Sequence, residues 1–357
     1  MNNLSGKKNQ KGVALITALL VVSIAVIAAA AMYQREYFNR QHLHNIIKND
    51  QSYYYSIAAE SWAMTILADD IENSDGKPID DAEEVSLRAE GIQAPIDNGS
   101  LSGKLFDLQG KFNINNLIKY DKESGKYIKS EEDFLIFYRL VEIINENPRE
   151  DDPYKDIEIP RDLPHKVLDW IDSDDVATSD DMGMGAEDEV YSAQMPPYKA
   201  ANGMVMSLSE LIMVDGFHTV ENGDAVLKKL EPYITALPNG THINVNIAPP
   251  EVIAALVKGL DLADAQTMVN DLKEEPAQKV NDFTNNLKSF FGSDEEGLAA
   301  KKSIDNLVKN SKLGITTNYF YLEIETEYSG SYSRLHSIIY RSDKGEMMVI
   351  VRGDGCI

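Results

Sequence analysis

The chain has 357 residues, of which 43% are apolar and 26% charged, so it is long enough for two domains with hydrophobic cores and is not a wholly disordered protein. Its 34 basic and 58 acidic residues leave a formal net charge of −24, which argues against a nucleic-acid partner because phosphate binding requires an excess of cations. A single cysteine, Cys356, excludes an internal disulfide.

The first 32 residues have the pattern of a membrane anchor. Residues 1–12 contain three lysines and no acidic residue, and the run from Val13 to Met32 contains only two polar side chains, Thr17 and Ser23. As a helix this run spans about 30 Å, the thickness of a bilayer core, and the lysines predict a cytoplasmic N-terminus. A cleaved secretory signal is the alternative, but the run is long for one and no small-residue cleavage site follows it.

The helix is predicted to continue far beyond the membrane. Neither proline nor glycine interrupts residues 13–75. Apolar and aromatic residues recur at the spacing of one helical stripe: Tyr33, Tyr37, Leu43, Ile47, Tyr54, Ile57, Ala58, Trp62 and Ile66. We therefore expect a helix from Val13 to about Asp70, about 90 Å long, whose amphipathic upper part packs on a globular domain.

The remaining sequence predicts an α+β fold. Alternating apolar and polar residues indicate one strand at 101–109 and a three-stranded antiparallel meander at 318–328, 334–341 and 347–351. Between them, periodic segments predict helices at 131–146, 160–171, 205–214, 222–234, 249–259, 262–273, 276–291 and 295–310. The long helix and a small antiparallel sheet form a pilin-like layout, and a large all-α insert interrupts the sheet.

The N-terminal motif resembles a known processing signal. Gly12 precedes the apolar run as in the prepilin-type signal of type IV pilins and type II secretion pseudopilins, which implies cleavage by a prepilin peptidase between Gly12 and Val13 and methylation of the new N-terminus. Most pilins have glutamate at the fifth mature position, where this chain has Thr17. Absence of that glutamate resembles the K-type minor pseudopilin, the proposed tip subunit. A plain anchor with one tolerated polar residue is the alternative.

The resemblance extends along the chain and implies an organisation into parts. Segments similar to the K-type family occur in order at 107–117, 169–175, 185–188, 198–202 and 243–248. The implied parts are a leader at 1–12, a transmembrane segment at 13–32, the periplasmic helix half and first strands at 33–109, an inserted α-domain at 110–312 and the closing meander at 313–357. The family further implies an inner-membrane location and I-type and J-type minor pseudopilins as partners.

Two segments of the insert share a pattern. Residues 112–117 and 243–248 both alternate apolar residues with asparagine, and a helix is predicted after each. We interpret them as the starts of two similar helical units, with the asparagines as turn and cap ligands. The second segment also resembles the opening of a helix-hairpin-helix DNA-binding motif. The loop at 258–261 lacks the second glycine and is acidic, which argues against that function.

An acidic segment at 150–189 is the best candidate for a binding site. It contains 15 acidic residues and three basic ones, a composition that also suits solvated surface or disorder. Carboxylates follow a predicted helix end and recur after a glycine-bearing loop, and a hard divalent cation would relieve their repulsion. The K-type resemblance implies calcium here, with a structural role. The predicted ligands are Asp172, Asp174, Glu187 and Asp188, with Asn202 as a further possibility.

No catalytic motif is present. The sequence has no G-x-S-x-G, no H-E-x-x-H and no P-loop, and its six histidines lack metal-binding spacing. This absence argues against an enzyme, and the K-type resemblance implies a structural protein, a minor pseudopilin of the type II secretion system that caps the pseudopilus tip and helps to initiate its assembly for export of folded proteins. The alternatives are another pilin-like subunit or an anchored calcium-dependent adhesin, and then an anchored periplasmic hydrolase.

Overall fold

One long helix, α1 (Gln10–Asn73), contains the whole apolar run. Its 64 residues extend about 95 Å, as the absence of proline and glycine predicts. The computed structural model describes residues 10–73, 79–217, 223–342 and 344–354. In these ranges α1 is the only helix long and apolar enough to cross a membrane, and its most apolar window has a mean hydropathy of 2.8.

The other elements are short. The remaining α-helices of the described ranges are α2 (Ala82–Glu90), α3 (Glu131–Glu146), α4 (Leu163–Ile171), α5 (Asp188–Ser192), α6 (Gly223–Leu230), α7 (Pro250–Leu256), α8 (Leu262–Glu274), α9 (Val280–Ser289) and α10 (Glu295–Lys309). The strands are β1 (Ile92–Ile96), β2 (Gly99–Asp107), β3 (Phe112–Asn113), β4 (Ile118–Asp121), β5 (Lys126–Lys129), β6 (Ser179–Asp180), β7 (Gly183–Met184), β8 (Ile234–Thr235), β9 (Ile243–Asn244), β10 (Leu313–Gly314), β11 (Tyr319–Tyr328), β12 (Ser331–Arg341) and β13 (Met347–Gly353).

The predicted helices of the insert are present, with one difference in type. The segment predicted at 131–146 has those bounds in α3, whereas the segment predicted at 205–214 is a short 3₁₀ helix, Leu208–Met213. The elements that were not predicted from the sequence include α2, α5 and β1. Helix α2 has only nine residues, and β1 contains Pro95, which is unfavourable in a strand interior.

The sheet joins strands from both ends of the sequence. Its order is β1-β2-β11-β12-β13, and all neighbouring strands are antiparallel. The insert leaves the sheet after β2 and returns before β11. The two-residue loop between β11 and β12, Ser329–Gly330, has positive φ angles of 50° and 78°, which match the twist of a tight hairpin. The predicted meander is thus confirmed, and the strand predicted at 101–109 is β2, which pairs with β11 and carries β1 on its other side.

The inner face of the sheet packs on α1. Apolar side chains of β11 and β12, including Phe320, Ile324 and Ile339, form a buried cluster with Leu67 of the helix. Polar contacts link the same surfaces. The hydroxyls of Ser56 and Thr326 are hydrogen-bonded at 2.9 Å, and Glu60 accepts hydrogen bonds from Ser337 and Arg352. Helix α1 is therefore held to the sheet by small and polar residues as well as by apolar ones.

The apolar stripe predicted on α1 mostly faces away from the sheet. Ile47, Tyr54 and Trp62 keep 63%, 65% and 48% of their surface exposed, and Tyr33, Tyr37, Leu43 and Ile66 are also exposed. The expectation that this stripe packs on the globular domain is correct for Ile57, which lies against the buried cluster of the sheet, and wrong for the exposed residues. The helix surface in contact with the sheet carries small residues, including Ser56 and Ala63, as well as Leu67.

The insert has a hydrophobic core of its own, separate from the one under α1. The insert has two halves, and in each half a short strand at the beginning pairs in parallel with a short strand at the end. Strand β3 pairs with β8, and β9 pairs with β10. Each half therefore begins with a strand of the asparagine pattern and ends with the partner of that strand.

The patterned asparagines bind the backbone in the same way in both halves. Asn113 Oδ1 accepts the N–H of Asn115, and Asn244 Oδ1 accepts the N–H of Asn246. Asn115 then makes paired hydrogen bonds to the backbone N–H and C=O of Val205, at 2.8 and 2.9 Å. The prediction that these residues act as turn and cap ligands is confirmed for Asn113 and Asn244, whereas Asn115 and Asn246 bond the backbone of distant segments.

A buried ion pair joins the insert to the sheet. Asp80, which lies between α1 and α2, pairs with Arg88 at 3.0 Å and, through Oδ2, with Arg341 at the end of β12. Its Oδ2 also accepts the N–H of Thr317 at 2.7 Å, and its backbone carbonyl oxygen accepts a hydrogen bond from the Asn244 amide in the insert. Asp80 is thus the point where α1, the sheet and the insert meet.

Candidate metal centre

The acidic segment is positioned by the end of one helix and the start of another. Helix α4 ends at Ile171, and the backbone N–H of Asp172 still donates to Leu168 O at 2.9 Å. Glu187 lies directly before α5. The two helix ends face each other, so that residues far apart in the acidic loop meet.

Three of the predicted ligands lie together. Carboxylate oxygens of Asp172, Asp174 and Glu187 are all within 4.8 Å of one another. Asp172 and Glu187 are only 5% and 6% exposed, whereas Asp174 is exposed. The group contains neither histidine nor cysteine, so its donors are oxygen atoms alone.

Several buried oxygens at this place have no hydrogen-bond partner. They are Asp172 Oδ1, both carboxylate oxygens of Glu187, and Asn202 Oδ1. Unpaired buried acceptors are costly, so such a group of oxygens suits the binding of a cation or of solvent. Asn202 is held in place by its backbone N–H, which donates to Trp170 O at 3.0 Å, and by its side-chain amide, which donates to Asp175.

The same surroundings disfavour ionisation of the two buried acids. Burial, together with the charges of Asp174 and Asp169, raises the pKa of Asp172 to about 7. Burial and the charges of neighbouring aspartates raise the pKa of Glu187 to about 8. A bound cation would reverse both effects, because it favours the charged carboxylates.

These residues fit a hard divalent cation. Calcium binds six to eight oxygen ligands in flexible geometry and takes them from carboxylates and from backbone or amide carbonyls. Asp172, Asp174, Glu187 and Asn202 offer that chemistry, and an all-oxygen set does not favour zinc.

The fourth predicted ligand, Asp188, has other partners. Its Oδ2 pairs with Lys199 Nζ at 2.5 Å, and its Oδ1 accepts the N–H of Ala200 at 3.1 Å. The hydrogen bond from Lys199 holds the pKa of Asp188 below its usual range. The structure therefore does not bring Asp188 into the three-carboxylate group.

Two supporting residues were not identified from sequence. Asp169, buried in α4, accepts the N–H of Thr178 and so fixes the loop between the ligands. Gly185 lies against it, and a Cβ at that position would be 1.8 Å from Asp169 Oδ2, so only glycine fits. Asp169 lies three residues before Asp172, on the buried side of α4, but the sequence does not reveal which loop it meets.

The predicted processing residues lie at the start of α1. Gly12, Val13 and Thr17 are all within the helix, and the Thr17 hydroxyl donates to Ala14 O at 3.0 Å. The hydroxyl is thus satisfied within its own helix, as an apolar environment requires. Residues 1–9 of the predicted leader and Cys356 lie outside the described residues.

Comparisons with known proteins identify relatives of this chain and of its fold. One protein of the GspK-GspI-GspJ complex from the enterotoxigenic Escherichia coli type 2 secretion system is 21% identical and shares the fold, with a TM-score of 0.63 over 86% of this chain and 96% of its own. Type II secretion system protein K of Pseudomonas aeruginosa is 28% identical over 98% of this chain and 94% of its own length. The corresponding protein of Aeromonas hydrophila is 26% identical over 98% of each.

Two family models, both described as type II secretion system (T2SS) protein K, match residues 110–239 and 243–300, which together are more than half of the chain. The first match begins just before β3 and the second begins with β9, at the two asparagine segments. The chain therefore belongs to the type II secretion system protein K family, a family of minor pseudopilins.

Proposed function

We propose that this minor pseudopilin caps the tip of the pseudopilus and helps to initiate its assembly for the export of folded proteins. The observation that carries the proposal is the position of the insert. The β11–β12 turn lies towards the membrane end of α1, since Lys48 Nζ donates to Ser329 O at 2.9 Å. Beyond the C-terminal end of α1, the backbone N–H of Asp80 donates to Ile315 O, beside the insert. The insert thus lies at the end farthest from the apolar run, where it would obstruct a subunit above.

Thr17 supports the same position. A neutral hydroxyl bonded to its own helix offers no carboxylate to the terminal amine of another subunit. Burying an unpaired amine among apolar helices costs several kcal/mol, so a subunit with this residue is unsuited to a place below a neighbour.

The partners of this protein are proposed from the complex in which a solved relative was found. The solved relative is described as part of a complex with GspI and GspJ. We propose I-type and J-type minor pseudopilins as partners of this protein. We also propose a prepilin peptidase as the enzyme that cleaves it between Gly12 and Val13.

The proposed topology is that of a single-pass inner-membrane protein. The apolar run of α1 supports membrane anchoring. Three lysines in residues 1–12 favour a cytoplasmic N-terminus, which places the sheet and the insert in the periplasm.

Calcium at Asp172, Asp174 and Glu187 is proposed to have a structural role rather than a catalytic one. The relatives are named as components of a secretion system. Calcium supplies positive charge at this site. The carboxylates then hold the end of α4 against the start of α5, and the loop between them becomes ordered.

The first test is the mass and N-terminal sequence of the membrane-extracted protein, with and without a prepilin peptidase. The expected mature protein begins at N-methylated Val13. An intact Met1, or a cut after Ala31, would contradict the pseudopilin assignment of the N-terminus.

The tip position is tested by electron microscopy of pseudopili that carry a gold label on the insert. We expect label at one end of each filament, and label along the whole length would contradict the tip position.

A gene deletion tests the adhesin alternative. Deleting the gene should abolish secretion without affecting adhesion, whereas an adhesin requires that adhesion is lost and secretion is kept.

A further inference from the structure

An apolar cleft lies between the insert and the outer face of the sheet, which is the face opposite α1. Its volume is about 530 Å³, within the usual range of ligand clefts. Rings from three neighbouring strands line one side, Phe106 of β2, Tyr321 of β11 and His336 of β12, and Met206 and Leu208 of the insert line the other. The cleft thus lies at the junction of two parts of the fold, where binding sites are common.

The three rings hold one another in place as an aromatic row. The Tyr321 hydroxyl is hydrogen-bonded to His336 Nδ1 at 2.6 Å, and the two rings are stacked with their centroids 5.7 Å apart. The Phe106 centroid is 6.2 Å from that of Tyr321. All three side chains are half-buried, and in the part of the chain that the structure describes Phe106 and Tyr321 belong to neither hydrophobic core. The aromatic row therefore keeps apolar surface that the fold of this chain does not cover.

Two lysines of the cleft share one carboxylate. Lys111 Nζ donates to the backbone oxygen of Glu231 at 2.8 Å, and Lys228 Nζ is 3.7 Å from Glu231 Oε2. The other acid of the lining, Asp107, is buried and paired with Arg88 at 3.1 Å. Burial lowers the pKa of Lys111, so a negative charge beside it would favour its charged form. The cleft therefore has a surplus of positive charge in a protein whose net charge is −24.

We propose that this cleft binds an acidic peptide segment of a partner protein, one that carries an aromatic side chain next to a carboxylate. The aromatic side chain packs on the aromatic row, and the carboxylate pairs with Lys111 and Lys228. Met206 is 69% exposed at the edge of the cleft, and its flexible side chain can adapt to the shape of the segment. Charges more than about 8 Å away are screened at physiological ionic strength, so the two lysines outweigh the net charge of the protein.

The binding is tested by isothermal titration calorimetry of the full-length protein in detergent with three end-blocked pentapeptides. The first peptide has phenylalanine between two pairs of acidic residues, the second has alanine in place of phenylalanine, and the third has lysine in place of the acids. We expect saturable binding of the first peptide and at least about tenfold weaker binding of the other two. A dissociation constant of the first peptide above about 1 mM, or equal binding of all three, would overturn the proposal.

Charge substitutions show whether the peptide binds at the cleft. Lys228→Glu and Met206→Glu should each weaken binding of the first peptide at least about tenfold, since each adds negative charge to the lining. The control Lys302→Glu makes the same change on the surface of α10 and should leave the affinity unchanged. The three replaced side chains are exposed, so the melting temperature should stay the same. Unchanged affinity in both cleft variants would contradict binding at this cleft.

Sedimentation of the extracted protein tests a second copy as the occupant. We expect the wild type and Lys228→Glu to sediment alike. Self-association that is lost in Lys228→Glu would show that the cleft joins two copies, and the proposal would then be wrong. Both measurements use the isolated protein, so peptide binding can fail while the tip position holds, and the tip position can fail while the peptide binds.

Discussion

Asp172 and Glu187 are buried acids whose free oxygens face one another. The sequence predicts both as ligands, because carboxylates follow a predicted helix end and recur after a glycine-bearing loop. It also predicts Asp188, which the fold turns towards Lys199 instead. Asp188 differs from its neighbour Glu187 because of the local geometry of the chain. Neighbouring residues at a helix start point in different directions, and the position of Lys199 depends on the whole loop.

The raised pKa values predict how pH affects the protein without calcium. Both acids have pKa values near 4 when unfolded and about 7 and 8 when folded, so the folded state holds more protons between these limits. In chelator, the free energy of unfolding should fall from about pH 4 to about pH 8 and then level off. Excess calcium should remove most of this loss above pH 8, because it replaces the protons.

Tryptophan fluorescence can follow this transition. The protein has two tryptophans, and Trp170 lies at the site, against Tyr191 with ring centroids 5.1 Å apart. In a Trp62→Phe background, thermal melts at several pH values report the insert alone. The same pH dependence with calcium and with chelator would contradict the site.

The variant Glu187→Gln distinguishes a carboxylate that binds calcium from one that only contributes negative charge to the loop. Removing one of the few charged ligands should weaken calcium binding at least about tenfold. In chelator above pH 8, the same variant should melt at a higher temperature than the wild type, because a repelled carboxylate is gone. The control is Glu189→Gln, two residues away and exposed, which should change neither property. The proposed site therefore requires that Glu187→Gln weakens calcium binding and, in chelator above pH 8, raises the melting temperature.

Among the elements, the two halves of the insert share the asparagine pattern and its local hydrogen bond, but their second asparagine side chains bond different distant segments. The role of these residues could be predicted from the sequence, since the pattern precedes a helix in both halves. Their partners could not. Asn115 bonds Val205, and Asn246 bonds Ala277. Sequence periodicity reports a residue's own element and carries no information about a backbone segment 31 or 90 residues away.

Asn246→Ala should destabilise the insert. The Asn246 side chain accepts the N–H of Ala277 at 3.0 Å and donates to its C=O at 3.2 Å, and both groups would lose their partner. The expected loss is about 1–3 kcal/mol in the free energy of unfolding, measured by urea titration of Trp170 fluorescence. Asn285→Ala, on the exposed side of α9, should change it by less than about 0.5 kcal/mol. Equal effects would show that the side-chain bonds contribute nothing.

For the whole molecule, the junction at Asp80 sets how the insert sits on the sheet. Arg341→Met should cost about 3–5 kcal/mol, because it leaves the buried Asp80 carboxylate without its Arg341 partner. Amide hydrogen exchange at Thr317, whose N–H donates to Asp80, should speed up accordingly. Arg334→Met, which removes an exposed pair with Glu325 on the same sheet, should cost less than about 1 kcal/mol. Unchanged exchange in the Arg341 variant would show that the junction is held by other contacts.

Local sequence patterns were enough to predict the long helix, the antiparallel meander, the helices of the insert and three of the carboxylates that lie together in the acidic group. The patterns are an unbroken apolar run, alternation of period two, and carboxylates near a helix end. The tertiary structure was needed to show which face of α1 meets the sheet, which strands pair with β3 and β9, and that Asp188 pairs with Lys199 outside the three-carboxylate group. The reason is physical. A stripe of period 3.6 shows that one face of a helix will be covered, but burial by the strands of the same protein and burial by another subunit leave the same pattern in the sequence.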